Sequence, residues 1–126
     1  MRDLAERVVA CKHWRWMPGM LNTYGYRVLE VDEHGKPTRW VLGWYVFNWS
    51  AKWPSSSTPD LTDPATLGCL LALVREVWED PQVVVICLVI DGKGLWCPKI
   101  QASQGRAGIN YETEAEALVA ALEAAP

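Results

Sequence analysis

Residues 61–80 read LTDPATLGCLLALVREVWED and leave few folds open. Asp63 precedes Pro64, so its backbone is pushed into the β region, which suits a helix N-cap, and Pro64 suits the first helical position. Leu67, Leu70, Leu71, Val74, Val77 and Trp78 then recur at helical spacing and form one apolar stripe, widened by Cys69, Ala72 and Leu73. A helix this apolar must be largely covered. Pro81 stops it, and QVVVICLVI follows as a continuous apolar run. A run without alternation predicts a strand with both faces covered, lying centrally under helices.

The flanking segments supply partners. Residues 2–11 carry Leu4, Val8 and Cys11 on one stripe, which predicts a first helix. Residues 24–32 read as a strand, 33–37 (EHGKP) as a turn, and 38–47 as a returning strand rich in β-branched and aromatic residues. Read as one strand, 38–47 puts Trp40 and Trp44 on a shared face. Asp91-Gly92-Lys93-Gly94 predicts a tight hairpin turn, and Pro98 places the strand at 95–100 at an edge or bulge. A Gly/Ser/Gln loop over 101–108 leads to a short strand at 109–111. Thr113 with Glu116 three residues later is a capping box, and Leu118, Val119 and Leu122 give the last helix its apolar face. Ala117, Ala121 and Ala125 allow close approach to a sheet.

These elements predict the α+β class. The expected architecture is an α-β-α sandwich with an antiparallel or mixed sheet and three helices, in the order αββαββ(β)α, as a single domain over residues 1–126. Half of the residues are hydrophobic and 21% are charged, so a core can form and disorder is excluded. Net charge is -3 with the basic residues scattered, which speaks against a long nucleic acid as partner. The N-terminal residues lack the apolar segment of a signal peptide, and the longest apolar run, 83–90, is too short to span a bilayer. A soluble, cytosolic protein with no membrane contact is expected, with its four cysteines reduced.

The order of motifs resembles a known group. VVACKHWRW closes the first helix, the helix at 61–80 follows a loop, GLWCPKI returns from the turn, and YETEAEALVAALEAA ends the chain. This resembles the phage ABA-sandwich domain, a family of small proteins of phages and prophages. The resemblance implies an α-β-α sandwich acting in the host cytoplasm and carries over no catalytic residue.

No catalytic constellation stands out. There is no P-loop, G-x-S-x-G or H-E-x-x-H, and no cofactor is implied. Cys11 and His13 could begin a zinc site, but the one other histidine is His34, in a turn, so no metal is expected. Binding is the expected activity, of a host or defence protein or of a small nucleotide-like ligand, as in counter-defence; the alternatives are a structural or housekeeping domain without a ligand and a small enzyme not recognisable from motifs. Eight tryptophans in 126 residues supply the aromatic surface. Trp49 and Trp53, in the proline- and serine-rich loop at 48–59, are the first candidates, with Trp44 beside them. Arg15, Arg39 and Arg106 are the candidate cations for a stacked nucleotide. A ligand trap needs a deep pocket, often at the interface of a homo-oligomer; a protein antagonist needs an open apolar patch. The segment CKHWRWMPGM (11–20) is expected to be structural, with Trp14 or Trp16 plugging the core.

Overall fold

A computed structural model describes residues 2–48, 52–100 and 110–126. The elements are α1 (Arg2–Ala10), β1 (Arg27–Val31), β2 (Pro37–Leu42), β3 (Tyr45–Phe47), α2 (Pro64–Val77), β4 (Val84–Ile90), β5 (Lys93–Lys99) and α3 (Glu114–Glu123). The α+β class, the three helices and the antiparallel pairing are as expected. The strands divide into two sheets, one of order β1-β2-β3 and one of β4-β5.

Local chemistry sets the helix ends. Asp63 is extended at the N-cap of α2 and accepts from the Thr66 amide, with Pro64 in the first turn. Thr113 does the same for α3, accepting from the Glu116 amide at 3.1 Å. The three helices close on one core. Leu4, Ala5 and Val8 of α1, Leu70, Leu73 and Val74 of α2, and Leu118, Val119, Ala121 and Leu122 of α3 are all buried there, together with Leu61 and Val83. Alanines on α3 remove side-chain bulk and let its backbone approach its neighbours. The indole Nε1 of Trp78 donates to the Ala121 carbonyl at 2.8 Å and fastens the end of α2 to α3.

A second, aromatic core lies under the first sheet. Trp16, Met20, Val28, Trp40 and Trp53 are buried in it, and Trp14 and Met17 pack against both cores. The segment 11–20 is therefore the seam between them. Trp16 is nearly buried and meets Trp14 edge-to-face at 5.4 Å. The expected plug is present. Arg15 leaves this segment to form a bidentate ion pair with Glu76 of α2, and the backbone of Gly35 in the β1–β2 turn lies against its stem.

Two expectations are corrected. The segment 38–47 is two strands. Gly43 takes φ +56 between Leu42 and Tyr45, which pair directly, and a glycine at the first position of a two-residue loop is what a II′ turn uses. Trp40 and Trp44 consequently share no face. Nor is the apolar run at 82–90 covered on both faces. Val83 is buried among the helices and Val85 packs on them, but the hairpin extends beyond α3, and Val84, Ile86, Leu88 and Ile90 remain 37–45% exposed. The expected short strand at 109–111 is seen as a single bridge from Tyr111 to Trp96, residue 109 lying outside the described residues.

Candidate docking surface

The tryptophans separate by environment. Trp53 is 8% exposed and sits at the hub of the aromatic core, 5.0 Å from Trp40 and 5.1 Å from Trp16, both edge-to-face. Such contacts stabilise a core and leave no ring face for a ligand. The loop that carries Trp53 is fastened by backbone hydrogen bonds. The Thr23 amide donates to the Thr58 carbonyl at 3.0 Å, and the Asp60 amide to the Leu21 carbonyl at 2.8 Å. Trp49 and Arg106 lie outside the described residues.

Trp44 is the opposite case. It is 99% exposed at the β2–β3 turn. Leu42, Tyr45 and Val46 beside it are exposed as well. Opposite residues in a ladder share a face, so Leu42 and Tyr45 continue the face on which Trp40 and Phe47 stack at 6.1 Å. The buried aromatic core thus runs out along this hairpin into solvent. Tyr26 extends it sideways, meeting Phe47 at 5.6 Å and Tyr24 at 6.4 Å. Tyr24 is exposed, and the turn that holds it is rigid. The buried side chain of Asn22 accepts from the amides of both Tyr24 and Tyr26, at 3.0 and 2.8 Å, while Gly25 takes φ +88 with Leu42 against it.

Tyr24 also borders a cleft of about 480 Å³ between α1 and the loop at 56–62. Thr23, Ser56, Thr58 and Thr62 line it with hydroxyls, and its carboxylates are Glu6 and Asp60. Among the described residues that line it none is basic, and Glu6 and Asp60 make it unfavourable for a phosphate. Of the predicted cations, Arg15 and Arg39 are each engaged by a different carboxylate. Arg15 is held by Glu76, and Arg39 on the first sheet faces Glu30 at 3.4 Å.

Other chemistry is sparse. The four cysteines are separate thiols, Cys97 buried and Cys87 exposed, and burial pushes the Cys69 thiol up. Among the described residues there is no group of three or more His, Cys, Asp or Glu placed to hold a metal ion, and no helix is long and apolar enough to cross a membrane. No family model, curated protein or solved structure matches the chain.

Residue type alone marks Trp44 no more strongly than the loop tryptophans Trp49 and Trp53. The signal that separates them is Gly43, which turns the chain and sends Trp44 outward. Nothing in the sequence singles out Tyr24, Leu42, Tyr45 and Val46, because an alternating strand pattern does not reveal where a sheet outruns its core.

Proposed function

We propose that this protein acts without catalysis, by binding another protein through the tip of the β2–β3 hairpin, with Trp44 and Tyr45 as anchors. The exposure of Trp44 carries this reading. A fully exposed indole on a two-residue turn contributes nothing to its own fold, whereas tryptophan and tyrosine on a rigid base are the side chains that dominate protein interfaces. The base is rigid because its inner end is stacked into the aromatic core. Little conformational entropy is then lost when the tip docks. The hydroxyl-lined cleft beside Tyr24 suits backbone or polar groups of the same partner. In keeping with the resemblance to phage proteins, the partner in this proposal is a host or defence protein in the host cytoplasm; the carboxylates of the cleft, with no basic group among its described lining residues, weigh against a nucleotide-like signal.

The test is affinity purification from host cells of the native protein and of a Trp44→Ser/Tyr45→Ser variant. The native protein should retain one partner in near-equimolar amount. The variant should lose it while melting within about 2 °C of the native protein, as surface changes do. Equal retention by the variant, or a native protein that purifies alone, refutes the reading.

A further inference from the structure

We propose that two copies of this chain associate by antiparallel pairing of their β4 strands across a two-fold axis at Cys87. The phase of the β4–β5 ladder provides the first argument. Trp96 stands opposite Cys87, yet its amide and carbonyl are both committed to Tyr111 on the other side, at 2.7 and 2.8 Å. Cys87 and Trp96 are therefore a non-hydrogen-bonded pair, and the backbone groups of Cys87 point away from β5. Val85 and Val89 share that phase. So does Val83, whose carbonyl accepts from Arg75 Nε at 2.9 Å. The outward edge is thus satisfied at its base, and at Val85, Cys87 and Val89 it has no backbone partner among the described residues.

The second argument is self-complementarity. Cys87 is the middle residue of Val84–Ile90. Pairing Cys87 with the partner's Cys87 sets Val85 opposite the partner's Val89, and Val89 opposite the partner's Val85. All three outward residues then exchange both hydrogen bonds. Centring the axis on Val85 or Val89 leaves outward groups unmatched. The strand carries no charge, so no like charges meet. The pairing also places Val89, 76% exposed and the most exposed aliphatic of the strand, beside a valine that packs on the helical core.

The third argument is what the edge lacks. Native edge strands are blunted by lysine, proline, bulges or short length. β4 has seven residues, pairs with β5 without a register shift, and contains neither lysine nor proline. Val84, Ile86, Leu88 and Ile90 stand exposed on one face of the strand and Val89 on the other, so the edge between them is apolar throughout. Two such edges bury a total of under about 1,200 Å², the range of weak, reversible association. The dimer is accordingly a micromolar one, with a four-stranded sheet of order β5-β4-β4-β5.

Analytical ultracentrifugation of the full chain across about 1–500 μM tests this. The expected result is a reversible monomer–dimer equilibrium reaching twice the 14.2 kDa chain mass. The amides of Val85, Cys87 and Val89 should exchange more slowly with deuterium as concentration rises, and a short bismaleimide should join Cys87 to Cys87. Val89→Lys, an exposed change, should weaken the dimer by about tenfold or more while leaving the circular dichroism spectrum intact. Cys87→Pro removes an outward amide and should give a monomer. A chain monomeric throughout, a dimer unaffected by Val89→Lys, or cross-links that avoid Cys87 would each overturn the proposal. None of these outcomes depends on the β2–β3 tip, and the Trp44→Ser/Tyr45→Ser variant should dimerise normally.

Discussion

Replacing Asp63 should unfasten three parts of the molecule at once. Asp63 Oδ2 accepts from the Thr66 amide at 3.0 Å, from the Thr66 hydroxyl at 2.8 Å and from Arg27 Nη1 at 3.1 Å, and Oδ1 accepts from Arg27 Nη2 at 3.1 Å. The Thr66 hydroxyl in turn accepts from the Leu21 amide at 2.9 Å, and Arg27 also donates to the Gly19 carbonyl at 2.7 Å. One carboxylate therefore joins the start of α2, strand β1 and the segment that crosses between the cores. The hydrogen bonds and charge of Arg27, with those of Thr66, hold the Asp63 carboxyl down at about 2, against an ordinary 3.8. Taken at face value this shift is worth about 2 kcal/mol. Arg27 is about a third exposed, so solvent screening lowers its share. Loss of the cap adds about 1 kcal/mol and partly overlaps.

Asp63→Ala should therefore cost about 2–3 kcal/mol in urea unfolding at pH 7, and Asp63→Asn, which keeps a capping oxygen, about half of that. Because the folded carboxyl titrates below the unfolded one, its contribution is complete above about pH 4 and is lost as pH falls towards 2. The gap between the native protein and Asp63→Ala should narrow over that interval. A penalty under about 0.5 kcal/mol at pH 7, or a gap that stays constant from pH 4.5 to 2, would refute this account.

Trp53→Ala should cost about 3–5 kcal/mol in the same assay, whereas Trp44→Ser should change stability by less than about 0.5 kcal/mol, so the two indoles separate cleanly into core and surface. Gly35→Ala should destabilise by about 1–2 kcal/mol, since φ is +76 and the added Cβ would stand 2.7 Å from Arg15 Cβ; a neutral result would mean that the β1–β2 turn does not rest on Arg15.

The helix starts were legible because capping is local chemistry: Asp63-Pro64 and Thr113 with Glu116 state their roles within four residues. The hairpin at Asp91-Gly92 was legible for the same reason, both residues taking positive φ in a two-residue loop. Trp53 was not. Whether a loop indole is buried depends on what stands opposite it, here Trp16 and Trp40, from segments separated widely in the chain. Trp44 was half legible. Its residue type suggested a surface, but reading 38–47 as one strand put it beside Trp40, and a single glycine reversed that.

The run at 82–90 is the most instructive case. Its pattern predicts cover on both faces, and within one chain the cover reaches only Val83 and Val85. Hydrophobic periodicity reports that a strand is apolar on both sides, not which molecule covers it. An edge that faced water in the working state would be expected to carry a charge or a proline, and between Gln82 and Asp91 there is neither. A second β4 in the same sheet would cover the edge of this strand, though not the face of Val84, Ile86, Leu88 and Ile90. With a second β4 alongside, Val85, Cys87 and Val89 regain their hydrogen bonds and Val89 gains an apolar neighbour. An uncharged strand of this kind is then what the position requires.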